Sequence, residues 1–146
     1  MSPTEAAYLA GFVDGEGTVG IVKAKRKENR FGYRLQPYFT IPNTDVNVLV
    51  RIQEMCGNGR LVQQTNPANP HHKPGYALRF SPNQIRHVLP QIRPYLIIKA
   101  RQADYMFEFL AVNVGGRNQS QEQQDKAHEL RNAVCALNAK GVATVQ

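Results

Sequence analysis

The sequence contains little cysteine and no long apolar run, and each shortage excludes a class of protein. Its two cysteines, Cys56 and Cys135, lie far apart and lack the spacing of a metal-binding motif. We expect both to be buried free thiols in a reducing compartment, and therefore an intracellular protein. No stretch approaches the roughly 18 apolar residues of a membrane span, and no signal-peptide pattern opens the sequence. A membrane protein is therefore not expected.

Acidic side chains are also scarce, which leaves the chain strongly basic. The sequence has 18 lysines and arginines against 11 aspartates and glutamates, a formal net charge of +7. This excess favours a polyanionic partner, either nucleic acid or an anionic membrane surface, and the missing apolar runs make the membrane the weaker choice. A chain of 146 residues can bury roughly two-thirds of its unfolded surface, so we expect one domain over residues 1–146.

The first predicted helix ends on an acidic turn, which breaks a local rule. Ser2-Pro3-Thr4-Glu5 has the pattern of a capping box with proline at the first helical position, so a helix should begin there. It runs out at Asp14-Gly15-Glu16-Gly17, where the helix dipole is negative and an acid costs about 0.3–1 kcal/mol. Small residues recur at Ala7, Gly11 and Gly15 and leave a ridge for close backbone packing. An acid placed against the dipole is a candidate for function.

The rest of the chain alternates pairs of strands with helices. Two hairpins are predicted, with strands at residues 18–27, 33–41, 60–65 and 76–80. Helices are predicted from the segment 42–45 to about residue 55, from residue 81 to Pro90, which must kink or end the helix, over the stripe 103–114, and from 121 to about 138. This order predicts an α+β fold with the helices gathered on one face of an antiparallel sheet.

The run Leu9-Ala10-Gly11-Phe12-Val13-Asp14-Gly15-Glu16-Gly17 resembles the signature motif of the LAGLIDADG homing endonucleases. The predicted element order is similar to the αββαββα order of that family, so the resemblance spans residues 2–114 and leaves out the helix at about 121–138. It implies an antiparallel sheet that forms a DNA-binding saddle, with the helices on the opposite face. The implied activity is site-specific cleavage of both strands of double-stranded DNA.

The motif occurs once, and a single copy implies two chains. By resemblance, the first helices of a homodimer pack together, and the predicted interface residues are Ala7, Ala10, Gly11 and Asp14. This packing would bring two Glu16 side chains together over the minor groove and set two sheets in adjacent major-groove turns. The target should then be long and nearly palindromic.

The second predicted strand carries one polar face. Leu35, Pro37, Phe39 and Ile41 alternate with Arg34, Gln36, Tyr38 and Thr40. Alternation alone is typical of a solvated sheet face, but together with the charge and the motif it predicts contacts with base edges and phosphates. The predicted DNA-binding residues are Arg26, Arg34, Gln36, Tyr38, Thr40, Arg60, Gln64 and Arg79.

The chemistry implied by the resemblance is metal-dependent hydrolysis of a phosphodiester. Glu16 would hold Mg²⁺, with the Gly15 carbonyl completing the metal shell, and Mn²⁺ or Ca²⁺ could replace it in binding. Asn43 would position the metal-bound water, although an asparagine before a helix is as often only its N-cap. Lys99, near Arg101, would stabilise charge at the scissile phosphate or steer the water. Asp14 is expected to be structural and to bond the neighbouring turn.

Two other functions remain open on the same fold. One is an intron RNA-splicing maturase, and the other is a DNA-binding regulator that does not cut. Loss of the acid is expected in catalytically dead versions, so the presence of Glu16 favours the enzyme.

Overall fold

The computed structural model describes residues 1–65, 68–69, 71, 74–112 and 119–139. The chain forms two compact units, Met1–Val19 with Tyr38–Ala100, and Gly20–Pro37 with Arg101–Gln146. The single domain expected over residues 1–146 stays a prediction. None of the helices in the described ranges is long and apolar enough to cross a membrane.

The elements follow the order predicted from the sequence. They are α1 (Pro3–Glu16), β1 (Thr18–Lys25), β2 (Tyr33–Asn43), α2 (Val46–Cys56), β3 (Arg60–Gln64), β4 (Gly75–Arg79), α3 (Pro82–Ile92), a 3₁₀ helix (Arg93–Tyr95), α4 (Ala100–Val112) and α5 (Gln121–Asn138). The four strands form one sheet in the order β1-β2-β4-β3, and β4 runs antiparallel to both β2 and β3. The α+β fold with its αββαββα order is therefore confirmed, while Val114, predicted to end a helical stripe, lies outside the described residues.

Helix α1 begins and packs as its sequence dictates. The Ser2 hydroxyl accepts a hydrogen bond from the Glu5 N–H while the Glu5 carboxylate accepts one from the Ser2 N–H, which is the predicted capping box. The buried residues recur at intervals of three and four: Ala6, Leu9, Ala10 and Val13. Helix α1 contacts α3 and the 3₁₀ helix, and this buried stripe anchors it in the first unit.

The core of the first unit lies between the sheet and its helices. Helix α2 packs against β3 and β4, and Phe39 of β2 stacks on Phe80 with ring centroids 4.7 Å apart. The largest fully buried side chains of this unit include Leu9, Ile41, Leu49, Ile52, Leu78, Ile85, Leu89 and Ile92. Burial of an aliphatic side chain of this kind contributes about 1.5–3 kcal/mol, so these positions hold the sheet against the helices.

Helix α3 does not end at Pro90, the residue predicted to kink or end it. The helix continues to Ile92 and then tightens into the 3₁₀ turn that begins at Arg93. A proline inside a helix removes one backbone donor.

In the second unit, α5 is bonded to the β1–β2 hairpin. The Tyr33 hydroxyl of β2 is hydrogen-bonded to His128 Nε2 of α5, and the Lys23 ammonium lies 3.9 Å from the centre of the Tyr33 ring. Lys23, on β1, thus has a structural contact that its position in the sequence did not reveal.

The two cysteines differ in exposure. Cys56 is buried and burial raises the pKa of its thiol to about 11, whereas Cys135 is exposed on α5. The prediction that both are buried is therefore wrong for Cys135, because it lies beside Val134, outside the buried stripe of its helix.

The turn from α2 to β3 depends on two glycines with positive φ. Gly57 has φ 69° and ends α2 in the left-handed conformation, and Gly59 has φ 110°. A Cβ on Gly59 would lie 2.9 Å from Leu78 Cδ1, whereas a Cβ on Gly57 would meet nothing within 4 Å. A side chain would strain the backbone at both positions, because both have positive φ, but only at Gly59 would it also collide with a neighbour.

We therefore expect Gly59→Ala to lower the free energy of unfolding by about 2–4 kcal/mol, since overpacking adds to the strain. Gly57→Ala is the matched control and should cost only about 1–2 kcal/mol, from the left-handed backbone alone. Urea unfolding of both variants measures the difference. Equal losses would contradict the packing argument.

Candidate active site and nucleic-acid interface

Helix α1 delivers Glu16 to the surface at its last residue. Glu16 is exposed, and the next residue, Gly17, ends the helix with its N–H donating to the Val13 carbonyl at 2.9 Å. A Cβ on Gly17 would lie 3.0 Å from that carbonyl oxygen, so the close turn into β1 favours glycine. The acid therefore stands at a tightly defined junction between helix and strand.

Asp14 ties a distant segment to the end of α1. One carboxylate oxygen accepts the Ile97 N–H at 2.8 Å, and the other accepts the Lys99 N–H at 2.9 Å. Partial burial alone would raise the pKa of Asp14, but hydrogen bonds from the N–H groups of Ile97, Lys99 and Ile98, with the Lys99 charge, hold it below its usual value. Asp14 therefore has the structural role expected of it, but its partners lie 83 and 85 residues away and not in the neighbouring turn.

The Lys99 ammonium lies at the same helix end. It donates to the Asp14 main-chain carbonyl at 2.7 Å, and the last turn of α1 itself contains no basic residue. A cation at a helix C-terminus is stabilising by about 0.3–1 kcal/mol, because the helix dipole is negative there. The Lys99 charge therefore offsets the unfavourable placement of Asp14 and Glu16 at this end. Partial burial lowers the pKa of Lys99, and the Asp14 charge acts in the other direction. Lys99 and Glu16 thus both lie at the C-terminal end of α1, although they come from distant parts of the sequence.

Asn43 is not the N-cap of α2, and its role with water stays a prediction. It is the last residue of β2 rather than the residue after it, and its side-chain oxygen accepts the Asp45 N–H at 2.8 Å. The N-cap of α2 is Asp45, whose carboxylate accepts the Asn47 N–H at 2.9 Å. The alternative that Asn43 is a helix N-cap is therefore wrong, and its amide nitrogen remains available as a donor.

The end of α1 offers oxygen ligands of the kind that Mg²⁺ and Ca²⁺ prefer. The Glu16 carboxylate and the main chain of Gly15, both exposed, lie at the negative end of the helix dipole, which favours a cation. Among residues 1–65, 68–69, 71, 74–112 and 119–139, no three His, Cys, Asp or Glu side chains cluster as a metal site. The donor types fit a hard divalent ion, and one chain contributes one carboxylate to it at this point.

Strand register groups four predicted DNA-binding residues on one sheet face. Arg79 of β4 lies directly opposite Arg60 of β3 on one side and Thr40 of β2 on the other. Gln64 lies four residues from Arg60, hence on the same face, opposite Gly75. Arg60, Gln64 and Arg79 are all exposed, so this face presents two cations and an amide to the outside.

Thr40 is buried, contrary to its predicted place among exposed side chains. Its residue is 4% exposed, and its hydroxyl donates to the Leu78 carbonyl at 3.3 Å. The register of β2 places it on the same face as Arg79, but on that face it is buried. It serves the pairing of β2 with β4 instead of offering a surface to DNA.

The remaining predicted DNA-binding residues keep accessible surface. Arg26 is exposed in the turn that follows β1, where its guanidinium donates to the Lys25 carbonyl at 3.1 Å. Arg34, Gln36 and Tyr38 are half-buried along β2. Their roles in binding DNA stay predictions.

The predicted dimer interface divides between the two sides of α1. Ala7 and Gly11 are exposed, and Asp14 is half-buried. Ala10 is fully buried in its own unit, so its assignment to the interface is wrong. Ala10 belongs to the buried stripe with Ala6 and Val13. The ridge of small residues, Ala7 and Gly11, lies beside that stripe, because each of its members follows a buried residue by one position.

Sequence reasoning missed the segment that Asp14 holds. Ile97 and Ile98 are 86% and 69% exposed, although they stand in an apolar run next to the buried Leu96. The Asp14 bond to Ile97 spans 83 residues, and no local pattern reports a contact of that length. The sequence shows the apolar run before Lys99, but it does not indicate that Ile97 and Ile98 are exposed.

The lowered pKa of Asp14 predicts a pH dependence of stability. A carboxyl whose folded pKa is depressed contributes stability that is fully present above its unfolded value, near 3.8, and is lost as pH falls through the folded pKa. Asp14→Asn should therefore lose less stability than the parent chain between about pH 5 and pH 2. Urea unfolding across this range measures it, with Asp125→Asn, an exposed acid of α5, as the control for net charge. Parallel curves for Asp14→Asn and the parent would contradict the assignment.

Comparisons with known proteins agree with this geometry. The family model described as LAGLIDADG endonuclease matches residues 9–110. No curated protein matches the sequence. The fold is similar to the homing endonuclease I-CvuI, solved with its target and Ca, with a TM-score of 0.81 and 20% identity over 98% of this chain and 87% of that one.

Two further solved structures show the same fold. The archaeal intron-encoded homing endonuclease I-Vdi141I, complexed with DNA, has a TM-score of 0.78 and 21% identity over 98% of this chain and 89% of that one. The I-SmaMI LAGLIDADG homing endonuclease, bound to cleaved DNA, has a TM-score of 0.72 and 19% identity; the match covers 100% of this chain and 50% of that one. With its motif at the end of α1 and a family match over most of its length, this chain belongs to the LAGLIDADG endonuclease family.

Proposed function

We propose that this chain is a site-specific DNA endonuclease that acts as a homodimer and requires Mg²⁺ to cut both strands of a long, nearly palindromic target. The observation that carries the proposal is that Glu16 and the Lys99 ammonium both lie at the C-terminal end of α1. A carboxylate for a cation and an ammonium for a phosphate are the two charges that phosphodiester hydrolysis needs. The solved relatives bound to DNA support the same function.

The residues of one chain divide the work at this site. Glu16 and the Gly15 carbonyl would hold the divalent ion, which, when bound, stabilises charge on the phosphate and activates water. Lys99 donates to the Asp14 carbonyl and has further N–H donors for a phosphate oxygen. Asn43, with its oxygen on the Asp45 N–H, has its amide nitrogen free to orient water.

The basic sheet face supports the choice of DNA as substrate. Arg60 and Arg79 lie side by side on neighbouring strands, with Gln64 on the same face. Arginine pairs with guanine and glutamine with adenine in the major groove, and a two-stranded ribbon fits there. This face therefore combines charge for the backbone with side chains that read bases.

The dimer is supported by the exposed ridge of α1. Ala7 and Gly11 present little side chain, which allows a second helix to approach closely. Because the match to I-SmaMI covers 50% of that chain, a relative exists with room for a second unit of this size. Two chains related by a twofold axis would bring two Glu16 carboxylates to one cleavage site.

Cleavage of DNA by the Glu16 variant tests the proposed enzyme. Glu16→Gln should lower metal-dependent cleavage of a plasmid target library by about 100-fold or more, because it removes the charged ligand, while DNA binding persists. Glu54→Gln is the matched control, since Glu54 is an exposed acid in the last turn of α2. Plasmid cleavage is measured with and without Mg²⁺.

The same assay separates the other functions on this fold. Binding of intron RNA without DNA cleavage by the parent chain would favour a splicing maturase. Specific DNA binding without cleavage would favour a regulator, and either result would contradict the proposed endonuclease.

A substitution at Gly11 tests the dimer, because it should raise the stability of the folded chain and at the same time weaken dimerisation. A Cβ on Gly11 meets nothing within 4 Å in its own chain, so Gly11→Leu should stabilise the helix by about 0.5–1 kcal/mol. The bulky side chain should nevertheless block the partner helix and abolish double-strand cleavage. Sedimentation equilibrium and urea unfolding measure the two effects.

Asn132→Leu, at an exposed position of α5, controls for an added surface leucine. A Gly11→Leu chain that remains dimeric, or a monomer that cuts both strands, would overturn the proposed interface.

A further inference from the structure

Asp14 is bonded to the segment 97–99 through every acceptor group it has. Its two carboxylate oxygens accept the N–H groups of Ile97 and Lys99 at 2.8 and 2.9 Å, and its main-chain carbonyl accepts the Lys99 ammonium at 2.7 Å. Lys99 is therefore held at both ends, by its backbone and by the tip of its side chain. A surface lysine on a flexible four-carbon stem is rarely fixed in this way.

This double attachment defines where the Lys99 charge lies. The ammonium sits on the carbonyl of the residue directly before Gly15, at the helix end that presents Glu16. Three donors belong to a lysine ammonium, and Asp14 uses one of them. The others remain for an anion that approaches the end of α1.

The same bonds separate the roles of the two acids in the motif. Each carboxylate oxygen of Asp14 already accepts a backbone N–H, while Glu16 is exposed. Asp14 is therefore committed to the segment 97–99, and Glu16 is the acid available to a metal or a water.

We propose that Asp14 is a positioning residue that acts through Lys99: its hydrogen bonds to the segment 97–99 hold the ammonium where it meets the scissile phosphate. The inference rests on the proposed endonuclease function. Asp14 itself touches neither DNA nor metal. Its contribution to the rate exists only while Lys99 is present, whereas a purely structural contribution would persist without Lys99.

A double-mutant cycle on single-turnover cleavage tests this dependence. Asp14→Asn replaces one accepting oxygen by an NH₂ group that faces an N–H donor, so the segment 97–99 should shift. We expect the cleavage rate at saturating DNA to fall about 10- to 100-fold, with Kd for the target nearly unchanged. Lys99→Met should lower the rate by about 100- to 1,000-fold. The double variant should be no slower than Lys99→Met alone.

Ser81→Ala is the control for lost stability, because it removes the N-cap of α3 without touching the segment 97–99. Its small effect on the rate should multiply with that of Lys99→Met. If the effects of Asp14→Asn and Lys99→Met also multiply, or if Asp14→Asn cuts at the parental rate, the proposal is overturned.

The parent chain alone provides a second measurement, which holds even if Asp14→Asn does not fold. The Ile97 and Lys99 amides should exchange slowly with solvent, although the Ile97 side chain is 86% exposed. Rapid exchange of both amides would overturn the positioning role. A parent chain that cuts no target would instead overturn the proposed function, so the two failures are distinguishable.

Discussion

The bonding of Asp14 to the segment 97–99 is the constraint on which the candidate site depends. An acid near the end of α1 is unfavourable beside the helix dipole, yet here its carboxylate accepts two backbone N–H groups and its carbonyl accepts an ammonium. These bonds join parts of the chain separated by 83 and 85 residues. A local cost in the helix is thus offset by tertiary contacts, and the same contacts bring Lys99 to the helix end that carries Glu16.

Helix α1 serves the fold and the site with different sides. The stripe that includes Leu9 and Val13 is fully buried against its own unit, while Ala7 and Gly11 stay exposed. The buried side anchors the helix and so holds its C-terminal end in place. The exposed side, with its small residues, leaves the helix accessible to a second chain. The family motif therefore combines a packing sequence with a ridge of small residues and a terminal acid.

The parts of the structure that were predictable from the sequence are those with a local cause. The capping box at Ser2, the alternation of β2 and the left-handed turn at Gly57 each follow from neighbouring residues. Alternation assigns a side chain to a face but not to a depth, which is why Thr40 was expected to be exposed. The contact of Asp14 with Ile97 depends on the packing of α1 against the 3₁₀ helix, and no short-range pattern contains that information.

The register of β3 and β4 has an energetic consequence for the sheet. Arg60 and Arg79 are directly opposed, and like charges in that arrangement repel and weaken a strand pair. A polyanion laid across them would remove the repulsion, so the free chain carries an electrostatic penalty that binding relieves. Binding of a polyanion and folding are then thermodynamically linked. Counterions that screen the two guanidinium groups would also reduce the repulsion, and so would supply part of the same stabilisation.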